Sequence, residues 1–279
     1  MTLAEALGRG AERLAQTSDS PRLDAEVLMA HVTGWSRALL ITADRETLSA
    51  SHDTRFHSLI ERRAAGEPIA YLTGVKEFWS LPLRVTPDVL IPRPETEALV
   101  EWALDVVVDL PSPRIADLGT GSGAIALALA SERLDAKIVA TDRSREALRV
   151  AQDNAKQLGI GNVRFVHGSW LEPLAGETFD LIVSNPPYVA IGDPHLEALR
   201  HEPEHALVSG SEGLDAIRAI VQSAPRHLRS LGWLLLEHGT EQGLAVRTEL
   251  ADAGFSSAAT VGDLGERPRV TGGRIGGRE

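Results

Sequence analysis

A small helical domain followed by a larger α/β domain, with a parallel sheet covered by helices on both faces, is the fold class predicted for this 279-residue chain. Three observations predict it. Over the first ~75 residues, apolar positions recur at three- and four-residue steps, the period of a helix face. From Arg114 onward, short apolar runs alternate with helical stretches, the rhythm of a parallel sheet. A proline-rich stretch with neither period separates the two. The length exceeds that of a usual single domain, so two unequal domains are expected.

In the helical part, Leu3, Ala6, Leu7 and Leu14 form one stripe. Ser20 then Pro21 is a helix start, a cap residue followed by a proline in the first turn, leading into Leu23, Val27 and Leu28. Trp35 to Ile41 and Ser49 to Ala65 read as further helices. Gly66-Glu67-Pro68 punctuates, and the domain closes at Gly74. Residues 75–90, with Phe78, Trp79, Leu81, Leu83 and Val85 around Pro82, suggest a β-hairpin linker. The α/β domain is placed at 91–279. Its buried-strand runs are Ile115 to Leu118, Ile138 to Thr141, Val163 to Val166, Leu181 to Ser184 and Trp233 to Glu237. Helices are expected over Ala124 to Ala130, Arg145 to Leu158, Leu214 to Leu228 and Glu241 to Ala253, with edge strands at Ala258 to Val261 and Arg269 to Gly272.

Composition excludes several functions. There are no cysteines, which removes disulfides, thiolate metal sites and cysteine nucleophiles and fits a cytoplasmic protein. No apolar run approaches the ~20 residues that span a bilayer, and Met1 to Gly10 does not read as a signal peptide. The formal charge of −11 argues against a broad phosphate-binding surface, so no direct nucleic-acid partner is expected. The histidines show no metal-ligand spacing, and there is no Gly-x-Ser-x-Gly elbow. Arg62-Arg63 reads as a solvated helix face.

Four motifs carry chemistry. Asp117-Leu118-Gly119-Thr120-Gly121-Ser122-Gly123 stands between a strand and a helix, where glycines let the backbone turn sharply and approach a ligand. Ala124 satisfies the next position of a dinucleotide fingerprint, so this loop alone suits a nicotinamide cofactor or S-adenosylmethionine equally. Asp142 ends the next strand about 20 residues on, where a carboxylate can accept from both ribose hydroxyls, or can cap the following helix. Ser169-Trp170 follows the third strand, placing Trp170 either against adenine or over the sheet edge.

The deciding motif is Asn185-Pro186-Pro187-Tyr188. Consecutive prolines hold the backbone extended, directing the Pro186 carbonyl and the Asn185 side-chain carbonyl toward one point. An NH2 on a planar nitrogen needs two acceptors, and these supply them. Tyr188 offers a flat face for a planar amide or base. Such a site works by positioning and electrostatics, without a strong base. Arg93, flanked by Pro92 and Pro94, is a further candidate for contact with cofactor or substrate.

At these residues the chain closely resembles the PrmC/HemK family, the protein-(glutamine-N(5)) methyltransferases of peptide chain release factors. The hallmarks are Gly66 to Gly74, Ile91-Pro92-Arg93-Pro94-Glu95-Thr96-Glu97, the Asp117 to Gly123 loop, Asn185 to Tyr188, Glu202-Pro203, Leu236 to Gly239 and Arg269-Val270. Asn-Pro-Pro-Tyr alone is shared with methyltransferases of adenine or guanine amino groups in DNA or rRNA, which is the alternative function. The helical domain and the Ile91 to Glu97 segment point to the protein-glutamine branch. The resemblance implies a five-helix domain that helps bind the substrate, a hairpin linker and a Rossmann-like class I catalytic domain. It also implies S-adenosylmethionine as cofactor and the Gly-Gly-Gln glutamine of a class-one release factor as acceptor. A monomer is expected. Under this reading the Asp117 to Gly123 loop, Asp142, Trp170 and Asn185 hold cofactor, while Asn185, Pro186, Pro187, Tyr188 and Arg93 face the substrate. Gly272-Gly273-Arg274-Ile275-Gly276-Gly277-Arg278-Glu279 runs past the usual family ending and reads as a disordered tail.

Overall fold

The structure, a computed structural model, describes residues 1–276. The chain forms two compact units, Met1–Val75 and the part from Lys76 onward.

The first unit contains α1 (Leu3–Leu14), α2 (Pro21–Thr33), α3 (Arg37–Thr42), α4 (Ala50–Ala64) and α5 (Ile69–Thr73). Thr2 and Glu5 start α1 with a reciprocal capping box. Leu3, Leu7 and Leu14 meet Leu28, Met29, Phe56 and Ile60 in a core of its own. Arg63 departs from the expected solvated face. It is largely buried and donates to the buried Asp24 carboxylate at 2.7 Å, because α2 packs where the open helix face was expected.

The second unit opens with β1 (Val75–Phe78) and β2 (Leu81–Arg84), joined by Trp79 and Ser80, both at positive φ as a two-residue hairpin turn demands. The hairpin is fastened to the α/β part. Asn154 accepts from the Arg84 amide at 2.7 Å and returns its own NH2 to the Arg84 carbonyl at 3.0 Å. There follow α6 (Glu97–Val106), β3 (Arg114–Leu118), α7 (Ala124–Glu132), β4 (Lys137–Asp142), α8 (Arg145–Leu158), β5 (Val163–His167), β6 (Phe179–Ser184), α9 (Asp215–Ser223), β7 (Leu228–Glu237), α10 (Gly243–Asp252), β8 (Phe255–Gly262) and β9 (Pro268–Ile275). α9 stops short of the expected end at Leu228, since Pro225 cannot continue it.

These strands form one sheet in the order β5-β4-β3-β6-β7-β9-β8. The five strands β3 to β7 run parallel, and β9 lies antiparallel between β7 and β8. α6, α7 and α8 cover one face around Ile115, Leu181 and Leu235. α9 and α10 cover the other around Leu118, Ile182 and Leu234. Buried on both faces, the central strands read as continuous apolar runs. From β3 the chain moves outward through β4 and β5, then returns to β6 on the other side. The crevice at such a reversal, at the carboxyl ends of the strands, is where open α/β sheets bind ligands.

The expected disordered tail is corrected over residues 272–275. Gly272 to Ile275 are the second half of β9, in which Gly272 to Arg274 pair with β7 from Leu235 to Trp233 and Ile275 pairs with Phe255 of β8. Composition misled here because Gly272 and Gly273 serve close packing inside the sheet. A Cβ on Gly272 would stand 2.8 Å from the Trp102 ring and 3.2 Å from the Leu234 carbonyl oxygen. Gly276 follows β9 outside any strand, and Gly277 to Glu279 lie outside the described residues.

Candidate active site

At the reversal point lies an open cleft. Its walls include Arg93, Gly119, Thr120, Gly121, Ser122, Asp142, Trp170, Asn185 and Pro187, brought together from five separate segments of the chain. The remaining predicted residues stand behind that wall. Asp117, Gly123 and Pro186 are buried beneath it, and Tyr188 packs partly into the core on the α9/α10 side.

The glycine loop is held from below. Thr120 donates its hydroxyl to Asp117 Oδ2 at 2.6 Å, and the Ala126 amide at the start of α7 donates to the same oxygen at 3.2 Å. Asp117 is fully buried and its Oδ1 has no partner among the described residues, so loss of hydration pushes its carboxyl up to about 7, against these two hydrogen bonds. Gly119 sits at φ +72 with the Trp170 ring directly over it, 3.1 Å from where a Cβ would stand. A side chain there would fill the cradle, so glycine is demanded by both backbone and space.

Asp142 closes the loop from the neighbouring strand. Its Oδ2 accepts from the Gly121 amide at 2.9 Å and its Oδ1 from the Ser144 amide at 2.8 Å. Capping of α8 itself falls to the Ser144 hydroxyl, bonded to the Ala147 amide. Each carboxylate oxygen has a second lone pair, which leaves Asp142 acceptors for ribose hydroxyls. Trp170 adopts φ +47, a strained conformation for a bulky residue, and the Thr141 hydroxyl donating to its carbonyl at 2.9 Å holds it there.

On the other side, the Ser184 hydroxyl donates to the Leu118 carbonyl at 2.6 Å and ties the ends of β6 and β3 together. Asn185 follows at once, beside the glycine loop. Its NH2 donates to the Thr96 hydroxyl at 3.2 Å, leaving its carbonyl oxygen unengaged by that contact. The Tyr188 hydroxyl donates to Glu237 Oε1 at 3.4 Å. Glu237, at the end of β7, is 1% exposed and its Oε2 has no partner among the described residues. Burial pushes the Glu237 carboxyl up to about 7, and burial beside Glu237 pushes the Tyr188 phenol up as well. Arg93 is held by an ion pair with buried Glu202, whose other oxygen accepts from the Ile91 amide at 3.1 Å.

Sequence reasoning did not single out Val89, Leu90, Pro92, Thr96, Arg143 or His205 as cleft residues, although all line it. Thr96 lies inside the Ile91 to Glu97 motif, but exposed His205, in a single 3-10 turn at Glu204–Ala206, carries no pattern to find it by.

Comparison with known proteins agrees with this geometry. Residues 5–74 match the family model of the PrmC N-terminal domain, and residues 96–253 match that of the methyltransferase small domain. The release factor glutamine methyltransferase of Xylella fastidiosa (strain Temecula1) is 52% identical over 94% of this chain and 96% of its own length. The chain belongs to the release factor glutamine methyltransferase family. Its relative of that name in Escherichia coli K12 is 49% identical over 93% of this chain and 94% of the other. Among solved structures, a methyltransferase from Pyrococcus furiosus superposes with a TM-score of 0.53 at 20% identity, over 79% of this chain and 98% of its own. That likeness establishes the fold. Family membership carries the enzyme class and favours the glutamine branch over the nucleic-acid alternative. Among the described residues, no helix is long and apolar enough to cross a membrane.

Proposed function

We propose that this enzyme transfers a methyl group from S-adenosylmethionine to the side-chain amide nitrogen of the Gly-Gly-Gln glutamine in a class-one peptide chain release factor. The observation that carries this reading is that Asn185 lines the same cleft as the glycine loop and Asp142, with its NH2 turned to the Thr96 hydroxyl. S-adenosylmethionine, when bound, supplies an electrophilic methyl carbon. The fit of the cleft supports it: a cradle at Gly119 closed to any side chain, an aromatic face at Trp170, and free lone pairs on Asp142 for a nucleoside.

The chain's own residues do the rest. Asp117 and Thr120 shape the loop of Gly119, Gly121, Ser122 and Gly123. Asn185 Oδ1 and the Pro186 carbonyl accept the two amide protons of the glutamine, fixing its plane and raising electron density on nitrogen. Pro187 and Tyr188 hold that pair of acceptors in place, and Arg93 closes the substrate side. Because the positions are preorganised, the oxygens need not reorganise as charge develops on nitrogen. The helical unit, residues 1–74, contributes to recognition of the protein substrate, and the enzyme acts as a cytoplasmic monomer. Mass spectrometry of purified release factor incubated with enzyme and cofactor should show a gain of one methyl on the glutamine. Equal or greater transfer to rRNA or DNA, with none to the release factor, would overturn the proposal.

A further inference from the structure

We propose that Gln242 is a positioning residue for the Asn185 to Tyr188 motif, clamping its far end so that the two acceptors at its near end keep their spacing. The motif needs an outside clamp. Pro186 and Pro187 have no N–H, so the backbone between β6 and Tyr188 has no amide donor at those two positions. Anchors for this stretch have to come from beyond the prolines, at Tyr188 and after. With both proline φ angles fixed, a peptide held at Tyr188 leaves little play at Pro186 and Asn185.

Gln242 stands half-buried at the start of α10. Its Nε2 donates to the Tyr188 carbonyl at 3.1 Å and to the Glu212 carbonyl at 3.1 Å. Its Oε1 accepts from the Gly239 amide at 2.8 Å. A side-chain amide can be turned end for end, but each partner here is a backbone group of fixed role. The Gly239 N–H can only donate and the two carbonyls can only accept, so the NH2 end of Gln242 faces Tyr188. The turn that carries Gln242 is closed in the other direction as well, by the Gln242 amide donating to the Gly239 carbonyl at 2.9 Å. His238 anchors the base of that turn, its Nε2 2.7 Å from the Thr271 hydroxyl of β9. Gly213 approaches the same Tyr188 carbonyl. It sits at φ +73, and a Cβ there would stand 2.1 Å from that oxygen. One residue on, the Val189 amide donates to the Leu207 carbonyl and the Ser209 amide to the Val189 carbonyl, each at 2.9 Å. Since the Tyr188 hydroxyl also meets Glu237 Oε1 at 3.4 Å, the stretch from the end of β7 to the start of α10 holds Tyr188 by side chain and main chain together. Loss of about 1 Å of precision at a reacting centre can cost about a hundredfold in rate, so such a clamp has a kinetic consequence.

This proposal rests on the reading of Asn185 and Pro186 as acceptors for the glutamine amide. The test is single-turnover methylation of release factor by Gln242→Met, which keeps length and removes both polar ends, and by Gln242→Lys, which gives back donors for the two carbonyls. With cofactor and release factor saturating, Gln242→Met should be slower by about tenfold or more, while cofactor Kd stays within about threefold. Gln242→Lys should recover to within about threefold of the native rate. Rescue by lysine separates a clamp on Tyr188 from simple bracing of the 239–242 turn, since lysine offers the Gly239 amide no acceptor. Gln242→Met at the native rate, Gln242→Lys as slow as Gln242→Met, or a cofactor affinity that falls in step with the rate overturns the proposal. Should Gln242→Met not fold, Gln242→Glu carries the test, since it keeps the acceptor for Gly239 and turns an oxygen toward the two carbonyls. It should slow transfer by about tenfold or more with cofactor binding retained, and a native rate overturns the clamp. Failure of the native enzyme to methylate release factor at all would instead overturn the function on which the clamp depends.

Discussion

At the scale of single residues, the site divides into groups that touch the cleft and groups that hold them. Asp142 does both, since its two oxygens already tie down Gly121 and Ser144. Asp142→Ala should therefore lower S-adenosylmethionine affinity by at least about tenfold, removing ribose acceptors at roughly 1.5–3 kcal/mol each and loosening the glycine loop. Calorimetry on the folded variant checks this, and unchanged affinity would take Asp142 out of the cofactor site. Asn185→Ala should leave cofactor affinity nearly unchanged and slow methyl transfer by about a hundredfold, the usual effect of deleting one preorganised polar contact. Near-native single-turnover rates would move the acceptor site elsewhere. Both residues were legible in the sequence, because glycine spacing, a strand-ending acid and a double proline leave marks at fixed distances. Glu237 was not legible as the partner of Tyr188. The two are far apart in the chain, and only the pairing of β6 with β7 brings them together.

At the scale of elements, the parallel strands could be read from their apolar runs because both faces of the sheet are covered. The sequence signal failed at β9, where glycine reads as loop in composition but functions as clearance in the sheet. Gly272 leaves room for the Trp102 ring of α6, which itself meets Trp233 edge-on at 6.0 Å between ring centres. Gly272→Val should destabilise the protein by about 1–3 kcal/mol through overpacking of β9 against β7 and α6, seen as a lowered melting temperature. A melting temperature equal to the native one would show that the neighbours yield freely. The same strand places the Thr271 hydroxyl 2.7 Å from His238 Nε2, so β9 also braces the loop after Glu237.

At the scale of the whole molecule, two buried carboxyls, Asp117 and Glu237, give the fold a particular pH dependence. Burial raises both to about 7 from ordinary values near 4, so the folded state binds these protons more tightly than the unfolded chain. Their favourable contribution is complete below about pH 4, is lost as pH rises toward about 7, and is level beyond. Denaturant titrations of the native enzyme and Asp117→Asn should thus show the native form losing stability relative to the variant between pH 5 and pH 7. A difference independent of pH would mean that Asp117 keeps an ordinary carboxylate titration in the fold. The division of the chain sets a second expectation. Leu3 to Leu72 close one core, while the hairpin belongs with the sheet through Asn154 and Arg84, and Asn154 also binds the Ser122 carbonyl of the glycine loop at 2.9 Å. A cut beyond the hairpin would therefore strip a brace from the glycine loop, whereas a cut at Lys76 leaves every residue proposed to hold the cofactor in place. The fragment from Lys76 onward should melt cooperatively and bind S-adenosylmethionine within about threefold of the full chain. Its kcat/KM on intact release factor should fall by about tenfold or more, since the helical unit is then missing from recognition. The control is a short peptide bearing the Gly-Gly-Gln glutamine, on which fragment and full chain should differ far less. Equal rates on the intact release factor would show that recognition resides wholly in the catalytic unit.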